Sequence, residues 1–337
     1  MNTTTHSIAL PAFFLGIDVG KIDLFCHLLA PEGSFSQRFD NTPHGIKCLQ
    51  DWLLSLAPLD AVAACLEQTG FYGQAVASCL CDLDPCAIYI VNPRTIKAYG
   101  QRRLRRNKSD TADARLIAEF VQSEHSDLHP WTPQSPDCEE LKALSRYADS
   151  LIQDNARLKT RCESVSLPAI LRSLRRRIKA QEREIADIRS RINKIIAKNE
   201  DLRSQFNLLS SIPGLGEVTC HILLSEIPPI DLFNNARQLA AWAGLTPKHF
   251  VSGTSGRTRT PITKVGSSRL RRALFMPAMN ARVFNPLLNT FADRLREAGK
   301  TPKQVIVAVM RKLLHQIYGI LKSQTPYNPE KRGYVAA

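Results

Sequence analysis

Four carboxylates stand where they could hold metal ions: Asp18 in FFLGIDVGKIDLF, Glu67 in AVAACLEQTG, and Asp110 and Asp113 in NKSDTADARLIAEF. The first two end apolar runs that read as strands. The other two open a run with helical apolar spacing. A carboxylate at the end of a buried strand is desolvated and costly unless something positive binds it. Converging, the four would offer hard oxygen ligands to Mg²⁺ or Mn²⁺. Paired ions of that kind clamp the attacking and leaving oxygens of a phosphodiester.

Asp110 and Asp113 have a plainer reading as well. Ser109 is a plausible N-cap, and acids in a first turn favour the helix dipole without any ligand. Their i, i+3 spacing puts both on one face. Immediately upstream lies a cationic strip, Arg102, Arg103, Arg105, Arg106 and Lys108. Such a strip neutralises phosphates, which favours the nucleic-acid reading.

The surrounding elements position these residues. FFLGIDVG and IDLFCHLLA read as strands joined by Pro31-Glu32-Gly33, and QRFDN as a third strand. His44 to Leu56 has helical spacing, Ala61 to Leu66 is a buried strand ending at Glu67, Tyr72 to Leu83 a helix, and Ala87 to Val91 a further strand closed by Asn92-Pro93. The order predicts a mixed α/β sheet covered by helices. Ligands sit at the carboxyl ends of strands in such sheets, where Asp18 and Glu67 fall.

Residues 137–207 follow a different rule. Leu141, Leu144, Ala148, Leu151, Asn155 and Leu158 fit heptad a/d positions, and after a break at Ser164 to Pro168 the spacing resumes from Leu171 through Ile195 to Asn199 and Leu202. This predicts two long helices, either a coiled coil between protomers or a hairpin within one chain, with Gln181 and Asn199 as polar seam positions. Arg172, Arg175, Arg176, Arg177 and Lys179 near the tip could meet nucleic acid or form a solvated face.

From Asn207 a third, helical segment begins. Pro213-Gly214-Leu215-Gly216 between apolar runs has the pattern of a helix-hairpin-helix, whose turn amides can meet a phosphate; the glycines equally suit a plain tight turn. HFVSGTSGRTRTPITKVGSSRLRR gathers Ser, Thr and Gly with Arg257, Arg259, Lys264, Arg269, Arg271 and Arg272. A polar Ser/Gly loop among arginines suits a hydroxyl presented to a phosphate, or is simply a surface loop. Ser267 and Ser268 suit helix capping. Pro302 to Leu321 reads as a closing helix, and the tail after it as irregular.

The totals agree with a nucleic-acid partner. The 337 residues imply two or more domains, and the net charge of +14 implies a polyanion such as DNA or RNA. None of the nine cysteines forms a CxxC pair, so reduced thiols in a cytoplasmic protein are expected. No basic region precedes the first apolar stretch, so no signal peptide is expected, and no apolar run reaches membrane-spanning length.

The blocks GIDVGK, LEQTG, VNPRT and RNKSDTADARLIAEF, in that order, resemble the amino-terminal RuvC-like DEDD domain of a family of bacterial insertion-sequence transposases. SIPGLGEVTCHILLSEI, FNNARQLAAWAGLTP, VSGTSGR and ITKVGSSRLRRALFMPAM resemble its carboxyl-terminal serine transposase domain. The resemblance spans nearly the whole chain, and it is the order of the motifs that is specific. It implies an RNase H/RuvC-like domain over 1–130, a coiled-coil helical hairpin over 131–206, a serine transposase domain over 207–325 and an irregular tail over 326–337. It implies Asp18, Glu67, Asp110 and Asp113 as the catalytic tetrad, with Mg²⁺ or Mn²⁺, and Ser252 as the nucleophile, Ser255 being the alternative. It further implies donor and target DNA, a noncoding guide RNA, and a homo-oligomer, dimer or tetramer, in which serine and tetrad meet across protomers. Three rivals are kept: a DEDD nuclease or junction resolvase that uses water, a non-catalytic nucleic-acid scaffold, and an actin-like or sugar-kinase-like ATPase. The last should carry a second Asp-x-Gly loop, which is absent.

Overall fold

The computed structural model of this chain describes residues 11–68, 72–83, 86–103, 109–248 and 261–330. It forms two compact units, Met1–Gln134 and Ser135–Ala337.

The first unit is built on β1 (Phe13–Val19), β2 (Asp23–Ala30), β3 (Gly33–Asp40), α1 (Pro43–Leu56), β4 (Val62–Glu67), α2 (Tyr72–Cys81), β5 (Ala87–Val91), α3 (Pro93–Arg102) and α4 (Asp110–Glu124). The sheet order is β3-β2-β1-β4-β5. β1 to β3 form an antiparallel meander, while β4 and β5 run parallel to β1. The mixed sheet expected from the sequence is therefore present. β3 begins four residues before QRFDN, at Gly33. It is an edge strand with only Phe39 buried, so no apolar alternation marks its first half.

Each sheet face has its own core. Leu15, Ile17, Leu24, Leu28 and Leu66 pack against Leu49 and Leu53 of α1 and Val76 and Leu80 of α2. Phe14, Ala63, Cys65 and Tyr89 pack against Ile96 of α3 and Ile117, Phe120 and Val121 of α4. Side chains alternate along a strand, so Phe14, Gly16 and Asp18 of β1 share the α4 side. A Cβ at Gly16 would overlap the Ala114 carbonyl oxygen and the Ala118 backbone nitrogen. Helix α4 thus lies directly on β1, and only glycine admits it. Gly16→Val should destabilise this unit by at least about 3 kcal/mol, the upper end of overpacking costs. Urea denaturation followed by circular dichroism measures it, and a loss under about 1 kcal/mol would mean that α4 is not held there.

The second unit comprises α5 (Pro136–Glu163), α6 (Pro168–Lys198), α7 (Glu200–Ser210), α8 (Glu217–Glu226), α9 (Ala236–Trp242), α10 (Ser268–Phe284), α11 (Pro286–Glu297) and α12 (Pro302–Ser323). Helices α5 and α6 form a hairpin within the chain, tied by Lys159–Glu182 at 2.9 Å and by the Tyr147 hydroxyl donating to Glu184 at 2.7 Å. The seam departs from the strict heptad. Ser145 is buried where Leu144 was expected, and Ile196 where Ile195 was. A helix of 3.6 residues per turn drifts against a 3.5 repeat by about 20° per heptad, so its buried stripe slips. Asn199 is not a seam position. Helix α6 ends at Lys198, and Asn199 caps α7, accepting from Leu202 N at 3.1 Å and donating to Asp137 at 2.9 Å.

Beyond the hairpin, α12 is the central element, burying Val305, Val309, Leu313, Ile317 and Ile320 among α7 to α11. Gly214 of the PGLG turn has φ +98°, and a Cβ there would fall 2.8 Å from Ala281 N of α10. Close packing thus accounts for this glycine, and the phosphate role considered for the turn gains no support. The tail to residue 330 lacks helix or strand, yet Tyr327 anchors it, its N–H donating to Ser211 Oγ and its hydroxyl to Asn285. Among the described residues, no helix is long and apolar enough to cross a membrane.

Candidate active site

Sheet register brings the strand-end carboxylates together. β1 and β4 run side by side with Gly16 opposite Cys65 and Ile17 opposite Leu66. Asp18 and Glu67 are the next residues on the two strands, on the α4 side. Adjacent strands lie about 4.8 Å apart. Burial first, and then the Glu67 charge, push the Cys65 thiol well above its ordinary range. Cys65 is therefore an inert neighbour of the site.

Helix α4 supplies the other pair. It crosses Gly16 at Ala114 and Ala118, so its first turn, one turn earlier, reaches toward Asp18. Ser109 performs the N-cap, its Oγ accepting from Ala112 N at 3.2 Å. Capping is thus satisfied by the serine, and the carboxylates of Asp110 and Asp113 make no hydrogen bond or ion pair to described residues. Asp18 and Asp110 line one cleft of about 280 Å³, with Lys21, Asp23 and Phe25 on its walls. The turn that borders it is fixed: Asn41 Nδ2 donates to Gly20 O at 2.9 Å and Gly20 N to Asp23 O at 2.8 Å. Asp23 is itself engaged by Arg38.

Among the described residues, no group of three or more His, Cys, Asp or Glu could hold a metal ion as placed. The structure therefore joins Asp18 and Asp110 in one cleft, while Glu67 follows Leu66 on the neighbouring strand and Asp113 lies one turn along α4 from Asp110. The donors fit a hard divalent cation in kind. A larger depression of about 550 Å³ on α6 is lined by Arg189, Asn193, Lys194 and Glu217. Its one acid, Glu217, already accepts from Asn193 at 2.7 Å.

The expected phosphate-binding residues fall into three groups. Arg105, Arg106, Lys108, Arg257 and Arg259, like Ser252 and Ser255, lie outside the described residues. Arg102 and Lys264 are exposed. Arg103 pairs with Glu119 at 2.8 Å and stacks on Tyr99, bracing α3 on α4. The third group serves the fold. Arg269 is 13% exposed and uses all five N–H donors internally, to Asp149, Ser225, Glu226, Ser145 O and Ser145 Oγ. That departs from the expectation of a phosphate contact. Arg271 donates to Ala243 O and Gly266 O, and Arg272 reaches Asp149 at 3.3 Å. Gly16, which admits α4, and Lys21, which shares the cleft, were not singled out in the sequence. The available signal was a glycine two residues before a strand-end acid.

Residues 15–170 match a family described as a transposase, and residues 206–293 match the transposase family IS116/IS110/IS902. The pilin gene-inverting protein of Moraxella bovis is 30% identical over 320 residues, 94% of this chain and 97% of its own. The transposase for insertion sequence element IS1328 of Yersinia enterocolitica is 24% identical, over 62% of this chain and 67% of its own. Among solved structures, T. thermophilus RuvC in complex with a Holliday junction substrate covers 35% of this chain and 99% of its own at 14% identity, with a TM-score of 0.28, a likeness too slight to assign a fold.

Proposed function

Because the chain belongs to the IS116/IS110/IS902 family of insertion-sequence transposases, we propose that it cleaves and rejoins DNA strands through a divalent-metal site made by Asp18, Glu67, Asp110 and Asp113 and a nucleophilic hydroxyl on Ser252. The observation that carries this reading is the cleft shared by Asp18 and Asp110 at the end of β1. The strand order, with an antiparallel meander on one side and parallel strands on the other, supports an RNase H/RuvC-like domain around it.

Mg²⁺ or Mn²⁺ bound there would supply charge to stabilise a phosphorane-like transition state. The chain does the rest. Asp18 is held in a strand and Asp110 in a capped helix, so both carboxylates are fixed before substrate arrives. Lys21 offers a cation for a non-bridging phosphate oxygen. The Ser252 oxygen attacks phosphorus, a bond from Oγ to phosphorus forms, a phosphorus–oxygen bond of the DNA breaks, and the leaving DNA oxygen takes up a proton. A second DNA hydroxyl then attacks the phosphoserine and restores the serine. One phosphodiester is exchanged for another, so no nucleotide hydrolysis is needed.

Donor and target DNA must be held together, which favours an oligomer. Exposed Leu167 and Ile170 at the tip of the helical hairpin offer an apolar contact for a second chain. A noncoding guide RNA would choose the target by base pairing, and the charge of +14 supports binding a second polyanion.

Chelation tests the metal. With EDTA, strand cleavage of an element-end duplex should fall by at least about a hundredfold and return with excess Mg²⁺ or Mn²⁺. Undiminished cleavage in EDTA would contradict the carboxylate site.

A further inference from the structure

We propose that the face formed by α9, α11 and α12 binds the phosphate backbone of duplex DNA, through Arg237, Arg294, Arg311 and Lys312. The proposal rests on the DNA-recombining function above and assigns it a surface apart from the carboxylate cleft.

Residues 228–330 contain sixteen lysines and arginines against four acids, Asp231, Asp293, Glu297 and Glu330. Two of those acids are taken. Asp231 pairs with Lys322, and Asp293 pairs with Arg296 at 2.5 Å. Elsewhere in this unit Arg146 pairs with Glu226 and Arg269 with Asp149. Arg294 and Lys312 lie over the same Phe291 ring, at 5.5 and 5.7 Å from its centre. Arg294 has no acidic partner among the described residues, and Arg311 Nε is buried without a hydrogen bond. Arg237 of α9 completes the group, α9 and α11 both packing on α12.

The charges are close enough to act on one another. The Lys312 ammonium is disfavoured by burial and then by Arg311, Arg294 and Arg237. His315, one turn along α12 and 7% exposed, is driven down to about 4 by burial and then by Lys312, Arg311 and Arg237. A folded chain that gathers like charges from three helices stores repulsion that a polyanion relieves. The cations are spread over three neighbouring helices, which suits a continuous array of phosphates better than a single anion. A DNA duplex carries one charge about every 1.7 Å of its axis. The shared Phe291 ring fixes two of the cations in place, so less side-chain freedom is lost on binding.

The test uses the full chain and fluorescence anisotropy with a labelled duplex of mixed sequence over a range of NaCl concentrations. Each lost phosphate contact should reduce the slope of log K against log salt by about 0.9. Arg294→Gln/Arg311→Gln should therefore bind with a slope shallower by about 1.8, while Arg294→Lys/Arg311→Lys keeps nearly the parental slope. In the unaltered chain, duplex DNA should also protect Lys312 from acetylation, which keeps the test valid if the glutamine variant does not fold. An unchanged slope in the folded glutamine variant, an equal loss in the lysine variant, an effect on structured RNA but not on duplex DNA, or an unprotected Lys312 would each overturn the proposal. Binding needs no bond cleavage, so a chain that forms no covalent DNA adduct yet shows the slope change defeats the serine mechanism alone.

Discussion

Asp18→Asn is expected to reduce DNA strand cleavage by at least about a thousandfold, equivalent to about 4 kcal/mol of transition-state stabilisation. The substitution keeps the shape of the side chain and removes its charge. Asp18 is the penultimate residue of β1, beside the strand that ends in Glu67, and it lines one cleft with Asp110 of α4. An amide there cannot balance a divalent cation, and it leaves the neighbouring acids with fewer hard ligands. Duplex binding should hold steady or rise slightly, because one negative charge near the phosphates is gone. Quantifying nicked and joined products beside the anisotropy titration separates the two effects. Cleavage within about tenfold of the parent would show that Asp18 is not a metal ligand.

Ser252→Ala should abolish the covalent protein–DNA species while leaving binding and the fold intact. An unactivated serine is a poor nucleophile, and its loss removes the only bond the proposed chemistry makes to protein. Denaturing gels with labelled DNA reveal the adduct, and peptide mapping locates the phosphoserine. Ser255→Ala is the internal control, since it lies three residues away in the same VSGTSGR segment. An adduct that persists in Ser252→Ala and vanishes in Ser255→Ala would move the nucleophile. Cleavage with no adduct in any chain would favour the hydrolytic DEDD nuclease. Mixing Ser252→Ala with Asp18→Asn protein then asks whether different protomers can supply the two groups, and recombination by the mixture alone is the expected outcome.

The places of the four acids, near the ends of β1 and β4 and in the first turn of α4, were legible because each interrupts an apolar pattern at its edge, where a charge has no packing role. Ser109 was legible as a cap for the same local reason. How closely Asp18 and Asp110 approach was not, since it depends on Gly16 letting a helix about a hundred residues away in sequence settle on β1. The hairpin helices were readable from their stripe, whereas the slip from Ile195 to Ile196 follows from helix geometry and not from residue type. Arg269 shows where composition misleads. Its partners Asp149 and Glu226 lie 120 and 43 residues distant, and nothing local distinguishes an arginine bound for internal acids from one bound for phosphate. The cations of α9, α11 and α12 pose the opposite case, being scattered from Arg237 to Lys312 and gathered only by folding.

The most direct measurement is iron-mediated backbone cleavage of the DNA-bound protein. Fe²⁺ replacing the native ion, with ascorbate and peroxide, generates radicals that cut the chain next to the ligands. Fragments ending near Asp18, Glu67 and Asp110 are expected, suppressed by excess Mg²⁺ and absent from Asp18→Asn. Cuts elsewhere, or cuts at those positions that survive Asp18→Asn, would contradict a metal site at the end of β1.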